Sequence, residues 1–389
     1  MKKPILLVII LALTIGKISG QPRLWNVDKL SKAGIENPAL VEQIVKDADK
    51  LLKKKIASVV DKNRPAPSAD MHDYISCGPY WWPDPANPTG PYIRRDGEIN
   101  KAVITPDKKN LASLIYSVIQ LSLAYKLTSD EKYAVKAVDN LRIWFLNPST
   151  RMNPNLNFGQ TIYGRLGGKG RGAGMIETYR FIELLDGVEL LKKSPTLTDI
   201  DLQKLKSWFS EYLHWMMTSE VGRQEYNAKN NHGTSFDIQA IRYALFVGKE
   251  DIARNYLTEF PARRLFAQIE PDGKQPAELV RTKALHYSVF NLIHILDICF
   301  IAKTMNVDLY NLKSEDGRSI GKALKYLAQF AGKPQSVFPY KQINDWDGAQ
   351  KNLLLQLYRA DKLTMNPVFE KYYSSSLKGL TKNSTTILF

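Results

Sequence analysis

The sequence is poor in cysteine, with only Cys77 and Cys299 among its 389 residues. Two cysteines are too few for a disulfide framework, and they do not have the spacing of metal ligands. A single disulfide and two buried free thiols are both compatible with this count. The histidines other than His232 are not arranged like metal ligands either. We therefore expect no metal and no other cofactor.

Acidic residues are also scarce relative to basic ones, 39 against 54, which gives a formal net charge of +15. Removing the three lysines of the first 20 residues from this total leaves +12. A strongly basic protein favours a polyanion as its partner. We expect an anionic polysaccharide and no nucleic acid. A surface charge that only keeps the protein soluble is the alternative.

The N-terminal apolar run, residues 5–15, is too short to span a membrane, which takes roughly 20 residues. Two lysines precede it and Ser19-Gly20 follows, an order typical of a secretory signal peptide. We predict a signal peptide over residues 1–20, export to the periplasm or medium of a bacterial cell, and no stable membrane insertion once the signal is removed. A single domain is predicted over residues 21–389, and its oligomeric state stays open.

Alternation of the kind that predicts β-strands is scarce, whereas amphipathic helical patterns separated by short breaks run through most of the chain. They are found at about 38–60, 106–125, 133–145, 173–191, 199–218, 235–247, 252–269, 282–305, 320–330 and 350–358. Such a succession predicts an all-α fold, an α/α toroid or incomplete barrel of about six or seven helical hairpins. A superhelical repeat array is less favoured because no fixed period is present.

Two loop segments stand out between these helices. The Pro-rich stretch around Tyr80-Trp81-Trp82 cannot be regular helix. Its tryptophans either close the end of a helical bundle or stack on sugars, and adjacent residues of an extended segment can do both. The Gly-rich basic stretch 164–174 lacks the features of a phosphate-binding loop and predicts either a mobile lid or a plain flexible loop.

The candidate chemistry lies in Asn231-His232 and in the run from Arg281 to Tyr287. Breaking a uronic-acid polymer by elimination requires donors on the sugar carboxylate, a base near C5 and an acid near O4. Asn231, His232 and Arg281 can contact the carboxylate. Tyr287 can act as base and then acid where the C5 hydrogen and O4 lie on one side, as in mannuronate. His232 is the opposing base where they lie on opposite faces.

Spacing limits this arrangement. Arg281 and Tyr287 are six residues apart, so they converge only if Arg281 lies in the loop before the helix, with Thr282 as its N-cap. Lys283 shares the face of Tyr287 and could lower the pKa of the phenol. The alternatives are that Asn231-His232 is a simple helix cap and that Tyr287 belongs to the core.

The motifs Asn230-Asn231-His232-Gly233, Arg281 to Tyr287 and Ser76 to Pro85 together resemble the alginate lyase domain shared by several helical-toroid polysaccharide lyase families. The resemblance extends from about residue 68 to 346. It implies a toroid, cleavage of alginate or a related polyuronate, a reaction without metal, and Asn231, His232, Arg281 and Tyr287 as the working residues. In the best-known members the Arg to Tyr interval is one residue longer, so Lys283 is an alternative to Arg281.

We therefore predict a lyase that cleaves a uronate polymer by β-elimination to unsaturated oligosaccharides, with alginate and mannuronate-type linkages favoured. A lyase for glucuronan or another polyuronate and a noncatalytic polyanion-binding protein are the alternatives. A hydrolase would need two facing carboxylates, and Glu177, Asp237 and Glu278 form no evident pair. Further candidates for substrate binding are Tyr80, Trp82, Gln160, Arg171, Lys283, Tyr340 and Trp346.

Overall fold

The computed structural model describes residues 24–26, 30, 32 and 37–376, and helices account for most of this part of the chain. The predicted signal peptide, residues 1–20, lies outside the described residues. The helices are α1 (Pro38–Leu52), α2 (Pro106–Thr128), α3 (Glu131–Leu141), α4 (Phe181–Leu191), α5 (Asp199–Thr218), α6 (Glu220–Tyr226), α7 (Asn231–Val247), α8 (Glu250–Phe260), α9 (Phe266–Gln268), α10 (Pro276–Leu279), α11 (Ala284–Thr304), α12 (Ile320–Ala328), α13 (Trp346–Thr364) and α14 (Glu370–Tyr373).

The helices form two layers. Helices α2, α4, α7 and α11 make the inner layer, in which α4 packs against both α2 and α7, and α7 packs against α11. Helices α1 and α3 cover α2, while α5 and α8 cover α7. Inner helices are apolar on nearly every side, and residues 233–246 of α7 are all buried. The predicted all-α fold, an α/α toroid, is confirmed.

Two inner helices, α2 and α11, are long and apolar enough to cross a membrane by length and composition alone. Their most apolar windows are 67% and 78% buried inside the protein. A helix surrounded by other helices needs apolar residues on all faces, which accounts for this composition.

Polar residues set the helix ends that position the site. Thr105 caps α2 ahead of Pro106, and the Asn230 side chain accepts a hydrogen bond from the His232 backbone N–H at the start of α7. The first predicted helix, 38–60, ends early at Leu52. Ser58 beyond it is held in a turn, where its N–H and hydroxyl donate to the Asp61 carboxylate at 2.7 and 3.2 Å. Local polar bonding replaces the helix there.

Four short strands occur where the sequence predicted only loops. Strand β1 (Ile75–Cys77) pairs in parallel with β4 (Phe158–Thr161), and β2 (Trp81–Trp82) pairs antiparallel with β3 (Ile93–Arg94). Strands of two to four residues are too short for an alternating pattern to be recognised. The β1–β4 pair ties two distant loop segments together, and the β2–β3 pair folds one of these segments back on itself.

Both cysteines are free thiols, and Cys299 is buried within α11. Of the two possibilities that the sequence left open, the structure therefore has unpaired thiols.

Candidate active site

A cavity of about 610 Å³ opens at the end of the toroid where α7 and α11 begin. All four residues predicted to be catalytic line it, together with three of the seven predicted substrate-binding residues. The four predicted catalytic residues are Asn231, His232, Arg281 and Tyr287, and the three binding residues are Tyr80, Gln160 and Arg171. Two of these residues, Tyr80 and Tyr287, are 207 residues apart in the sequence.

The turn into α7 explains why glycine follows Asn231-His232. A Cβ on Gly233 would lie 2.2 Å from the Ala228 carbonyl oxygen and 2.5 Å from Nη1 of Arg264. The buried Arg264 donates to that same carbonyl at 2.8 Å and to the Tyr226 carbonyl at 2.6 Å. Any larger residue at 233 would displace the turn. Glycine at 233 therefore lets the start of α7 pack closely against Ala228 and Arg264, and this packing fixes the directions of the Asn231 and His232 side chains.

His232 is held by a carboxylate that the sequence did not suggest. Its Nδ1 lies 2.6 Å from Oε1 of Glu225, whose side chain is only 3% exposed. A hydrogen bond from Nδ1–H to the carboxylate leaves Nε2 as a proton acceptor, the tautomer that a general base requires. The contact depends on the turn between α6 and α7, so no sequence motif announces it.

Asn231 is held by a second buried carboxylate. Glu278 accepts from the Asn231 backbone N–H at 2.6 Å and from Nδ2 at 2.7 Å. Burial raises the pKa of Glu278, while the two hydrogen bonds from Asn231 oppose this rise. The amide donor predicted to contact a substrate carboxylate is thus already bonded. Oδ1 of Asn231 is buried without a hydrogen-bond partner in the described part of the chain.

Tyr287 lies at the start of α11 with its hydroxyl donating to the Tyr80 hydroxyl at 2.7 Å. The Arg281 guanidinium lies over the Tyr287 ring, with Cζ 3.7 Å from the ring centroid. Burial raises the pKa of Tyr287 well above its usual value, and Arg281 opposes the rise. The cation that favours the phenolate is therefore Arg281, where the sequence had suggested Lys283.

Arg281 lies in the turn before α11, as its spacing from Tyr287 required. The helix begins one residue later than predicted, so Lys283 and not Thr282 occupies the N-cap position. Nε and Nη2 of Arg281 donate to Asp96 at 3.1 and 2.7 Å, and the Thr282 N–H donates to Asp96 at 3.1 Å. Burial would raise the pKa of Asp96, but these hydrogen bonds hold it well below its usual range.

The aromatic pair of β2 is divided between two environments. Trp81 lines the cavity, with the guanidinium of Arg171 5.9 Å from its ring centroid. Trp82, which was the predicted sugar contact, faces elsewhere: its Nε1 donates to the Glu98 carbonyl at 3.0 Å. Adjacent strand residues point to opposite sides, and the sequence alone did not indicate which tryptophan faces inward.

Three other predicted binding residues are not among those that line the cavity. The Lys283 carbonyl accepts the Tyr287 N–H at 3.0 Å, and its side chain is largely buried. Tyr340 and Trp346 pack on Phe338, with ring centroids 5.4 and 5.6 Å away. Substrate contacts by these residues stay predictions that would need a site extending beyond this cavity.

The cavity is basic. Two carboxylates line it, Glu177 and Glu225, against five cationic side chains. The five cations are Arg94, Lys108, Arg171, Arg180 and Arg281. Such a lining favours an anionic ligand. Among the described residues, no group of three His, Cys, Asp or Glu side chains is placed to hold a metal ion.

The acids considered for a hydrolase are engaged elsewhere. Glu177 accepts from Lys108 at 2.7 Å and from the Ser76 hydroxyl at 2.5 Å. Asp237 is paired with the buried Arg264 at 3.0 Å and does not line the cavity. Glu278 holds Asn231. No two of these three acids face each other across the cavity, which is the arrangement that hydrolysis of a glycosidic bond requires.

A helical toroid with a basic cavity holding a phenol and an imidazole defines a polysaccharide lyase, an enzyme that breaks a carbon–oxygen bond. The chain belongs to the alginate lyase family, whose model matches residues 58–337. A solved alginate lyase from Bacteroides ovatus is 46% identical, with a TM-score of 0.91 over 94% of this chain and 98% of that one.

More distant structures share the fold alone. A variant of alginate lyase A1-III complexed with a tetrasaccharide is 15% identical, with a TM-score of 0.58 over 89% of this chain and 91% of that one. Alginate lyase A1-III from Sphingomonas species A1 is 14% identical, with a TM-score of 0.52 over 88% and 90%. No curated protein matches this chain.

Proposed function

We propose that this lyase cleaves alginate or a closely related polyuronate by β-elimination, with mannuronate-type linkages favoured, and leaves an unsaturated sugar at the new nonreducing end. The observation that carries the proposal is that the Tyr287 phenol and the His232 imidazole line one basic cavity, with Nδ1 of the imidazole held by Glu225. The family and the identity to a solved alginate lyase support the same substrate class.

The chemistry explains why these groups belong together. The C5 hydrogen of a uronate is weakly acidic because the adjacent carboxylate resists a further negative charge. Cations around the sugar lower that barrier, a base removes the proton, and an acid protonates O4 as the C4–O4 bond breaks. The cavity supplies each of these groups, and it offers no pair of facing acids among those considered for hydrolysis.

Tyr287 and His232 divide the proton transfers in a way that depends on the sugar. The raised pKa of Tyr287 keeps this phenol protonated near neutral pH, so it can donate a proton to O4. For mannuronate, where the C5 hydrogen and O4 lie on one side, Tyr287 first loses its proton to water, and Arg281 over its ring stabilises the phenolate. The phenolate then takes the C5 proton and passes it to O4 as the C4–O4 bond breaks. For guluronate, Nε2 of His232 removes the proton from the opposite face.

Asn231 and Arg281 flank the reacting sugar in this proposal. The family resemblance assigns both of them to the uronate carboxylate. In the structure Glu278 and Asp96 already accept from their donors. We assign to Asn231 the orientation of the sugar through its unpartnered Oδ1, and to Arg281 the stabilisation of the Tyr287 phenolate.

The decisive experiment incubates the protein with defined polymers of mannuronate, guluronate and glucuronate and follows the absorbance of the newly formed double bond. We expect unsaturated products, fastest from mannuronate-rich alginate. Products with a reducing end but no double bond would indicate a hydrolase. Tight binding of alginate with no product over a long incubation would indicate a noncatalytic polyanion-binding protein.

We also propose that the protein acts in the periplasm or outside a bacterial cell, after removal of residues 1–20. The order of charged, apolar and small residues in this segment supports the proposal. Fractionation of an expressing bacterium, with the N-terminus of the exported protein sequenced, tests it. A full-length chain retained in the cytoplasm would contradict it.

A further inference from the structure

Four of the five cations that line the cavity are paired with carboxylates in the structure. Arg94 and Arg281 share Asp96, with closest N–O distances of 2.6 and 2.7 Å. Lys108 is 2.7 Å from Glu177, and Arg180 is 3.0 Å from Glu183. Each of these four cations therefore has a carboxylate partner, although Arg94 and Arg281 share one.

Arg171 differs from the other four. Its Nη2 donates to Oε1 of Gln160 at 2.7 Å, and its Nε donates to the Gln160 carbonyl at 3.3 Å. Both acceptors are neutral, and no carboxylate forms an ion pair with Arg171 among the described residues. A guanidinium has five N–H groups, so further donors remain for a ligand.

The backbone around Arg171 is packed firmly. The Arg171 N–H donates to the Gly159 carbonyl at 3.1 Å, and the Gly172 N–H donates to Oε1 of Gln224 at 3.0 Å. A Cβ on Gly174 would lie 2.5 Å from the Gly159 carbonyl oxygen. Close backbone approach thus accounts for the glycines in this part of the loop, and it holds the guanidinium on the cavity wall.

The electrostatic environment of Arg171 favours an incoming anion. A half-buried guanidinium without a carboxylate partner loses hydration that an ion pair would replace. Burial and the nearby charge of Arg94 lower the pKa of Arg171, whereas the more distant carboxylates of Glu225 and Glu177 act to raise it. A substrate carboxylate would therefore bind more favourably to Arg171 than to a cation that already has a carboxylate partner.

We propose that Arg171 is the residue that receives the carboxylate of the uronate and so selects charged sugars over neutral ones. This inference rests on the proposed function, and it transfers the direct contact from Arg281 and Asn231 to Arg171. Gln160 orients the guanidinium so that its unused N–H groups bind the carboxylate. Neutralisation there makes the C5 hydrogen acidic enough for removal by Tyr287 or His232.

The test compares Arg171→Gln with Lys169→Gln, which removes the same charge two residues away on an exposed side chain that does not line the cavity. Each variant is assayed on an acidic polyuronate and on the same polymer with its carboxyl groups methyl-esterified. We expect Arg171→Gln to lose about 10- to 100-fold in kcat/KM on the acidic polymer, the range expected for a hydrogen bond to a charged group. The loss on the ester should be small, and Lys169→Gln should stay within about twofold of the wild type on both.

Two measurements keep the test decisive. If Arg171→Gln does not fold, Arg171→Lys replaces it, since this variant keeps the charge but loses the planar fork and should show an intermediate loss. If the wild type makes no product, the proposed function fails, and the affinity of the wild type and the variant for an acidic oligomer still tests Arg171. Unchanged discrimination or affinity in the Arg171 variants would overturn this inference and leave the lyase assignment intact.

Discussion

The two halves of the site are built in different ways. Asn231 and His232 stand at the start of an inner helix and are each held by a buried carboxylate, Glu278 and Glu225. Arg281 and Tyr287 are completed by Asp96 and Tyr80, which come from a loop segment 185 and 207 residues away in the sequence. The first half is fixed by the toroid itself. The second half exists only when the Tyr80 to Asp96 segment is in place.

This difference suggests a division of labour. In the proposed mechanism the helix-built half supplies groups whose orientation must not change, an imidazole with a fixed tautomer and an amide with a fixed face. The loop-completed half contains the phenol to which we assign proton transfer, and its environment depends on Tyr80, Arg281 and Asp96 together. Variants in each half should therefore have different signatures.

The largest effect is expected from Tyr287→Phe, which removes the acid of the loop-completed half. We expect kcat to fall by about 1,000-fold or more, within the range of general acid–base catalysis, with little change in the thermal midpoint. Tyr80→Phe is the matched control, because it keeps the ring and removes only the hydroxyl that accepts from Tyr287. It should lose much less. Substantial turnover by Tyr287→Phe would refute the role assigned to this phenol.

Glu225→Gln tests the helix-built half. Without the carboxylate, His232 loses the acceptor that fixes its tautomer and orientation, so we expect kcat/KM to fall by about 100-fold on guluronate-rich polymer. The loss should be smaller on mannuronate-rich polymer, where Tyr287 is both base and acid. Glu220→Gln on the exposed face of the same helix is the control. Equal losses on the two polymers would contradict the separate roles of His232 and Tyr287.

Asp96→Asn loosens Arg281 without removing it. We expect about a tenfold loss in kcat/KM and a change in the pH dependence of kcat, because Arg281 would no longer be held over the Tyr287 ring. The Asp96 carboxylate has a lowered pKa in the folded protein. Its stabilising contribution is thus present above about pH 4, the usual pKa of an aspartate, and is lost as the pH falls below that value. Unfolding curves of the wild type and Asp96→Asn should converge at low pH. A constant gap between them would show that the carboxylate charge is unimportant.

The sequence was enough to select four residues that line one cavity, because Asn231-His232-Gly233 and the Arg281 to Tyr287 interval are local patterns with chemical meaning. Their catalytic roles stay predictions. The sequence even required Arg281 to precede the helix, and it does. The carboxylates behind these residues could not be found in the same way. Glu225, Glu278 and Asp96 are ordinary acidic residues in sequence, and only the packing of α6, α10 and the β3 loop brings them to the site.

Side-chain direction was equally inaccessible. A two-residue strand gives no periodicity, so the sequence could not show that Trp81 and not Trp82 lines this cavity. A substrate contact by Trp82 stays a prediction. Lys283 was placed on the face of Tyr287 by helical spacing, but the helix begins at Ala284, and Arg281 from the preceding turn covers the ring. Both positions lie at the ends of elements, where the geometry depends on the neighbouring loops.

The smallest effect concerns His294, which lies behind the loop-completed half on α11. Its imidazole is fully buried beside Tyr179 and Phe290, neither ring nitrogen has a hydrogen-bond partner in the described part of the chain, and burial lowers its pKa to about 3. In the unfolded chain the pKa is about 6.5, so the unfolded state binds more protons between pH 6.5 and 3, and stability falls as the pH decreases through this window.

For His294 this linkage lowers the free energy of unfolding by about 0.7 kcal/mol between pH 7 and pH 6. His294→Phe fills the same space without a titrating group, so its free energy of unfolding should lack this part of the pH dependence. Denaturant unfolding of both proteins at the two pH values provides the measurement. His72→Gln is the matched control for the loss of a histidine away from α11, at a half-buried residue whose Nδ1 lies 2.6 Å from the Arg151 carbonyl oxygen. An identical slope in His294→Phe would mean that water or a bonded partner reaches the imidazole, and that the packing behind Tyr287 is looser than the structure shows.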